Sequence, residues 1–197
     1  MEHKSRPPVA LATQVKVLYG AHWLCHWCGR PVVFAPALKH LARFVEEQGF
    51  AGPLAYYDER YRRDLSPLLD ELAAAIDHVT AYSQGGLHDV DNFVAACSRC
   101  NAKKGAKTVA DFEAARSRHH VKGKHGEPSH WDGFASYFVV VGRANPEALT
   151  KRELDWHAEL EKFLGAKADF DSDASVGARL SDWKVDSVKV TPPPPKR

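Results

Sequence analysis

The amino-acid sequence predicts an α+β domain: a small strand–turn–strand–helix unit, stapled through cysteines and carrying additional flanking helices. Three observations predict it. The four cysteines, Cys25, Cys28, Cys97 and Cys100, form two CxxC pairs with none left over. The stretch from Asp77 to Gly105 interleaves β-branched residues, turns at Gly85-Gly86 and ends in a polar helical run. Apolar residues recur at helical spacing on both sides of it. The length agrees, since 197 residues suit one core with appended segments.

Composition narrows the class. With 44% hydrophobic and 26% charged residues, the chain is neither wholly disordered nor collagen-like nor of low complexity. Its apolar runs, such as Phe138 to Val141 and Ala73 to Ile76, are only a few residues and too short to span a bilayer, so no membrane partner is expected. Residues Met1 to Pro8 lack the apolar stretch of a secretory signal, which predicts a cytoplasmic, reducing setting. There, two CxxC pairs supply four thiolates for a tetrahedral zinc at about 2.3 Å per bond. Structural disulfides suit such a compartment poorly, and a thioredoxin-like redox site needs one CxxC rather than two.

In chain order, Val9 to Tyr19 predicts a short helix stopped by Gly20, and the first knuckle follows as Cys25-His26-Trp27-Cys28-Gly29-Arg30. Pro31 to Phe34 is a candidate strand. Leu38, Leu41, Phe44 and Val45 predict a helix over Ala37–Gln48, and Ser66-Pro67 opens another with Leu68, Leu69, Leu72 and Ile76 on one side. A strand carrying Asp77 and His78, the Gly85-Gly86 turn and a strand from Asn92 to Cys97 come next, leading into a helix that Gly105 ends. Thr108 and Asp111 cap a further helix. Val121 to His130 is a loop, and Phe134 to Val141 is helix or strand. Thr150 to Leu164 is a helix with a Thr150/Glu153 capping box and Leu154, His157, Leu160 and Leu164 on one face. The expected organisation is one domain over 1–168. Its core spans about 75–120, the first knuckle 25–28, a helical insertion 37–76 and a helical extension 130–165. The Ser-, Asp- and Pro-rich residues 169–197 read as a disordered or partner-binding tail.

Charge points to a polyanion. The formal net charge is only +2, yet Arg99 to Lys124 carries eight bases against two acids. A basic block beside a metal site most often serves nucleic acid. Hydrolysis of a phosphodiester needs a base to take a proton from water and a cation to neutralise developing charge. Imidazole suits the base role, because its ordinary pKa of about 6.5 lies near working pH. A hard cation wants oxygen donors. His78 offers the imidazole, and Asp77 and Asn101 offer oxygens. Neighbours on a strand point to opposite faces unless the strand twists, so the Asp77-His78 pair asks for local distortion. Cys100 precedes Asn101, so sulfur ligation would fix the start of that helix near the strand.

The stretch Ile76-Asp77-His78-Val79, Gly85-Gly86, Asp91-Asn92-Phe93-Val94, Cys97-Ser98-Arg99-Cys100-Asn101 and Lys104-Gly105 closely resembles the HNH nucleases of the ββα-metal superfamily. The similar branch has two CxxC knuckles around a structural zinc, and Cys25 to Arg30 resembles the first of them. The resemblance covers roughly 30 contiguous residues plus that knuckle. It implies a metal-dependent endonuclease with His78 as general base and Asp77 and Asn101 on a catalytic divalent ion. Asn92 is implied to hold the loop between the strands and orient the histidine. Arg99, Lys103, Lys104 and Lys107 would lie along the nucleic acid, usually DNA, with RNA as the second candidate. Small nucleases of this kind often act as a homodimer or with a protein that confers specificity.

Two departures stand out. Asn101 takes a place that many relatives give to histidine, which favours Mg²⁺ or Mn²⁺ over softer ions. Cys28 and Asp77 are also farther apart than the pattern requires, because of the insertion. The bland alternatives are a non-catalytic, zinc-stabilised nucleic-acid-binding module and an adaptor using the Pro-rich tail. His88 is expected to be a solvated loop residue. His119-His120 is a poor metal pair, since adjacent helical residues diverge by about 100°. Trp23, Trp27 and Trp131 are expected to pack a small core.

Overall fold

The computed structural model describes residues 7–47, 49, 71–116 and 131–167. Two compact units are distinguished, Met1–Phe163 and Leu164–Arg197; of the second, only residues 164–167 are described, as the end of a helix. The helix start at Ser66, the loop 121–130, the His119-His120 pair and the tail 169–197 lie outside the described residues.

Helix α1, Leu11–Gly20, buries Val15 and Leu18. Beyond it the chain folds back on itself, with an antiparallel bridge between Leu24 and Pro31 closing the first knuckle. The strand expected over Pro31 to Phe34 is reduced to that bridge and a parallel one between Val33 and Ala73. Pro31 has no N–H to donate, and Phe34 gives its own to Gly133 O. Helix α2, Ala35–Glu47, begins two residues before the expected start, with Pro36 in its first turn, where an N–H has no partner to lose.

The sheet has two strands, β1 (Ala74–His78) and β2 (Phe93–Cys97), antiparallel, with Asp77 opposite Val94 and His78 opposite Phe93. The expected helical insertion therefore ends earlier than Ile76, because Ala74 to Ile76 pair with Cys97 to Ala95. Helix α3, Ser98–Lys104, follows β2 without a break, and Cys97 serves as its N-cap. Strand, loop, strand and helix thus form the expected ββα unit. Helix α4, Val109–Arg116, starts at a Thr108–Asp111 cap, where Thr108 Oγ1 accepts from Asp111 N at 3.1 Å.

Helices α5 (Ala135–Ala144) and α6 (Lys151–Lys167) complete the described fold. The capping box opens α6 as its residues dictate, with Thr150 N donating to Glu153 Oε2 at 2.9 Å. Its buried face differs from the expected one. Glu153, Trp156, His157 and Leu160 are inside, whereas Leu154 is 42% exposed. Glu153 is stable there because Arg43 of α2 grips both carboxylate oxygens, at 3.0 and 2.7 Å. The helices also approach closely at Gly142, where a Cβ would lie 2.3 Å from the His157 ring. The aromatic core is built from edge-to-face contacts of Phe34 with Trp23, Phe138 and Trp156, at 6.0, 5.3 and 5.1 Å. Burying each such ring contributes about 1.5–3 kcal/mol.

Candidate active site

The four cysteine sulfurs lie within 4.8 Å of one another, three of the residues being buried and Cys28 half-buried. A tetrahedron of sulfurs at about 2.3 Å from zinc has edges of about 3.8 Å; Cys28 and Cys97 stand 3.9 Å apart. The donor set fits zinc in number, chemistry and spacing. Local backbone geometry prepares it: Gly29 N donates to Cys25 O, Cys25 N to Arg30 O, and Cys100 N to the Cys97 sulfur at 3.4 Å. Crowding also makes the thiols acid–base partners, and hydrogen bonding with Cys100 holds the Cys25 thiol down at about 7. Two links tie this knuckle to the sheet. His26 N donates to Ala95 O at 2.8 Å, and the Trp27 indole N–H donates to Asp77 Oδ2 at 2.8 Å.

Asp77 and His78 are both buried, at 4% and 2% exposure, and their side chains part as strand neighbours do. Asp77 faces the knuckle and α3. Its Oδ2 accepts from Trp27, its Oδ1 accepts from His78 N at 2.8 Å, and the Lys104 ammonium lies 3.8 Å from Oδ1. These contacts orient the Asp77 carboxylate. His78 faces the loop between the strands. Its ring meets Phe93 edge-on at 4.9 Å, and its Nε2 stands 3.3 Å from Nδ1 of His88.

Asn92 closes that loop. Its Oδ1 accepts from Thr80 N, and its Nδ2 donates to Thr80 O and Leu87 O at 2.9 and 2.7 Å. One side chain thereby adds three bonds to the backbone pairing of the loop, where Val79 N donates to Asn92 O and Gly86 N to Ala81 O. Gly86 is compulsory in this arrangement: a Cβ there would lie 1.9 Å from Thr80 O and 2.9 Å from the Asn92 amide.

Asn101 is half-buried on α3 and stands three residues before Lys104, on the same helical face. That face is turned to β1, because Lys104 donates to His78 O at 2.6 Å. Lys104 is a correction to the sequence reading. Expected along a phosphate backbone, it is fully buried, with its ammonium between His78 O and Asp77 and 5.3 Å from the Trp27 ring. Its spacing could have shown this, since Lys104 lies four residues after the inward-facing Cys100. Arg99 is also engaged, with Glu71 at 2.7 Å, a carboxylate that Arg30 approaches at 3.5 Å. Lys103 and Lys107 are exposed. His88 is the functional candidate the sequence reading passed over; it is half-buried beside His78 rather than solvated. No periodicity marks a loop residue placed by tertiary hydrogen bonds. A cleft of about 240 Å³ lined by Gln14, Phe34, Ile76, Arg152 and Trp156, among others, contains neither histidine.

Residues 65–107, which hold β1, the loop, β2 and α3, match the family model described as HNH endonuclease. The chain carries an HNH domain. No curated protein and no solved structure matches it. The HNH match supports a nuclease-type hydrolase in general, and the cysteine cluster fits a zinc-stapled ββα core. None of the described helices is long and apolar enough to cross a membrane.

Proposed function

We propose that this protein is a metal-dependent endonuclease that hydrolyses phosphodiester bonds in DNA, with His78 as the general base. The observation that carries the reading is the placement of His78 inside the HNH unit. Its ring is wedged against Phe93 and paired with His88, and its carbonyl is pinned by Lys104. An imidazole held in one orientation is what proton abstraction from water requires.

In this reading Asp77 and Asn101 are the oxygen donors for Mg²⁺ or Mn²⁺, a donor set suited to hard cations. Such an ion, when bound, supplies charge neutralisation at the phosphate and the leaving oxygen. Trp27 and the His78 N–H orient the Asp77 carboxylate toward that task. Asn92 keeps the loop closed over His78. Zinc on Cys25, Cys28, Cys97 and Cys100 is structural, since four protein ligands leave no open position. Lys103, Lys107 and, in part, Arg99 supply positive charge for the nucleic-acid backbone.

Supercoiled plasmid with Mg²⁺ or Mn²⁺ tests the reading. Nicking is expected, and His78→Ala should lower it by about 10²–10⁴-fold while zinc content and melting stay at wild-type values. A second reading, a zinc-stabilised module that binds nucleic acid without cutting it, is favoured by one observation: Asp77 is already engaged by three donors. Salt-dependent DNA binding by wild-type protein that cuts neither duplex, single-stranded nor branched DNA with any divalent ion would select it.

A further inference from the structure

We infer that the outer edge of β1, where it borders the cleft beside Arg152, is a docking site for an extended, acidic peptide segment of a partner protein. The peptide adds to the sheet as a third strand.

Four consecutive residues, Ala73 to Ile76, line this cleft of about 240 Å³. Alternate side chains of a strand point to opposite faces, so four in a row border one cavity only along the strand's edge. Hydrogen bonds show which backbone groups that edge offers. Ser98 N donates to Ala73 O and Val79 N to Asn92 O, so positions 73, 75, 77 and 79 are bonded toward β2. The backbone groups of residues 74, 76 and 78 therefore face outward. Ala74 N is taken by Val33 O, and His78 O by Lys104 at 2.6 Å. Between these limits, Ala74 O, Ile76 N–H and Ile76 O have no hydrogen-bond partner among the described residues.

The chain itself begins to fill this edge and then leaves it. Val33 pairs in parallel with Ala73, accepting from Ala74 N and donating to Leu72 O. Phe34 then gives its N–H to Gly133 O, and the next residues enter α2. A peptide residue placed opposite Ala75 donates to Ala74 O and accepts from Ile76 N, and the residue two further on donates to Ile76 O. Those bonds continue a parallel ladder in the register that Val33 sets. An acceptor, a donor and an acceptor at this spacing match a peptide backbone. Ile76 is only 8% exposed, so its backbone groups gain from such a partner. In strand addition the backbone bonds give affinity and the surrounding walls give selectivity. Here the walls include apolar Leu18, Phe34 and Trp156, and Arg152 is the one charged residue among those lining the cleft. A carboxylate on the peptide complements it. The receiving strand also carries Asp77 and His78, but neither lines the cleft, so the inference stands whether or not the chain cuts DNA.

Hydrogen exchange of the zinc-loaded, ¹⁵N-labelled chain tests it in two steps. In the free chain, the Ile76 amide should exchange at least about tenfold faster than the Ala75 and Asp77 amides, which face β2. Equal protection of Ile76 would overturn the inference. Protection that grows with protein concentration would also overturn it, by giving the edge to a second copy of the chain. The probe is then a capped peptide of alternating valine and threonine ending in aspartate. At millimolar concentration it should slow Ile76 exchange by about tenfold or more. The same peptide with every amide N-methylated has no donors left and should bind at least about tenfold more weakly. Arg152→Glu should weaken binding of the aspartate peptide more than that of one with asparagine in its place. Four results would each refute the docking site: Ile76 exchange unchanged by the peptide, equal binding of the N-methylated form, equal effects of Arg152→Glu on both peptides, or protection of Ile76 by a DNA duplex instead.

Discussion

Lys104→Met separates a structural lysine from a phosphate-binding one. The ammonium is fully buried, donates to His78 O at 2.6 Å, faces Asp77 Oδ1 at 3.8 Å and lies over the Trp27 ring at 5.3 Å. Methionine keeps much of the stem and its packing but removes the charge. The hydrogen bond from a charged donor is worth about 1.5–3 kcal/mol, and the contact with the indole about 0.5–2 kcal/mol. These contributions overlap, because all three partners share one ammonium. The better guide is the cost of stranding one member of a buried pair, about 3–5 kcal/mol, much of it the desolvated Asp77 carboxylate left without its cation. At about 2–4 °C per kcal/mol for a domain of this size, the melting temperature of the zinc-saturated chain should fall by about 6–20 °C. Adding Asp77→Asn removes the stranded charge, so the double variant should melt above Lys104→Met, with a coupling of about 0.5–3 kcal/mol. A phosphate contact predicts a different pattern. Lys104→Met would then melt like the wild type, and the slope of log affinity for DNA against log salt would drop by about one. That result would refute the buried-pair reasoning.

Gly86→Ala should cost about 1–3 kcal/mol and displace the loop that carries His88, because its Cβ meets backbone rather than a flexible side chain; nicking should fall while zinc analysis still finds a full complement. Trp27→Phe removes the N–H that Asp77 Oδ2 accepts and keeps most of the ring packing, so denaturant titration should show a loss of about 1–3 kcal/mol with zinc retained. Arg43→Ala should cost about 3–5 kcal/mol at neutral pH by stranding Glu153, which is 3% exposed. Burial alone would raise the Glu153 carboxyl, but bonds from Arg43 and Thr150 outweigh it and hold its pKa below the usual value. Stability from a depressed carboxylate is full above its unfolded pKa, about 4.3, and is lost as pH falls through the folded value. The difference between wild type and Arg43→Ala should therefore shrink in acid, and a gap that stays constant from neutral pH to about pH 3 would refute the linkage.

The ββα unit was legible because several independent signals converge on it. Two CxxC pairs, a double glycine and Asn92 each demand a particular backbone, and the structure places strand, loop, strand and helix where those residues ask for them. Helix caps were equally legible, since Thr108/Asp111 and Thr150/Glu153 act through bonds local in sequence. What the sequence reading missed is set by partners distant in the chain. Glu153 is buried only because Arg43, from another helix, meets it. Lys104 looks like one more cation in a basic block until its neighbour across the sheet is known. Leu154 has the spacing of a core residue, yet the buried stripe of α6 is rotated toward Glu153 and Trp156. His88 belongs to the same class, because its position depends on how Asn92 reaches back to Leu87.

These distant partners share a layout that explains why the knuckles stand so far apart in sequence. The first knuckle delivers Trp27 to Asp77 and His26 to β2; the second sets α3, which delivers Lys104 to Asp77 and to the His78 carbonyl. A metal ion joining the two knuckles therefore fixes Asp77 from two directions at once. The loop side contains no sulfur, and there Asn92, Phe93 and His88 fix the His78 ring. Asp77 and His78 share Lys104 on the backbone side, but the carboxylate also depends on the first knuckle and the imidazole ring on a loop held by a side-chain amide. Losing zinc should loosen the carboxylate first, and losing Asn92 should loosen the imidazole first, since each defect acts where its own bonds end.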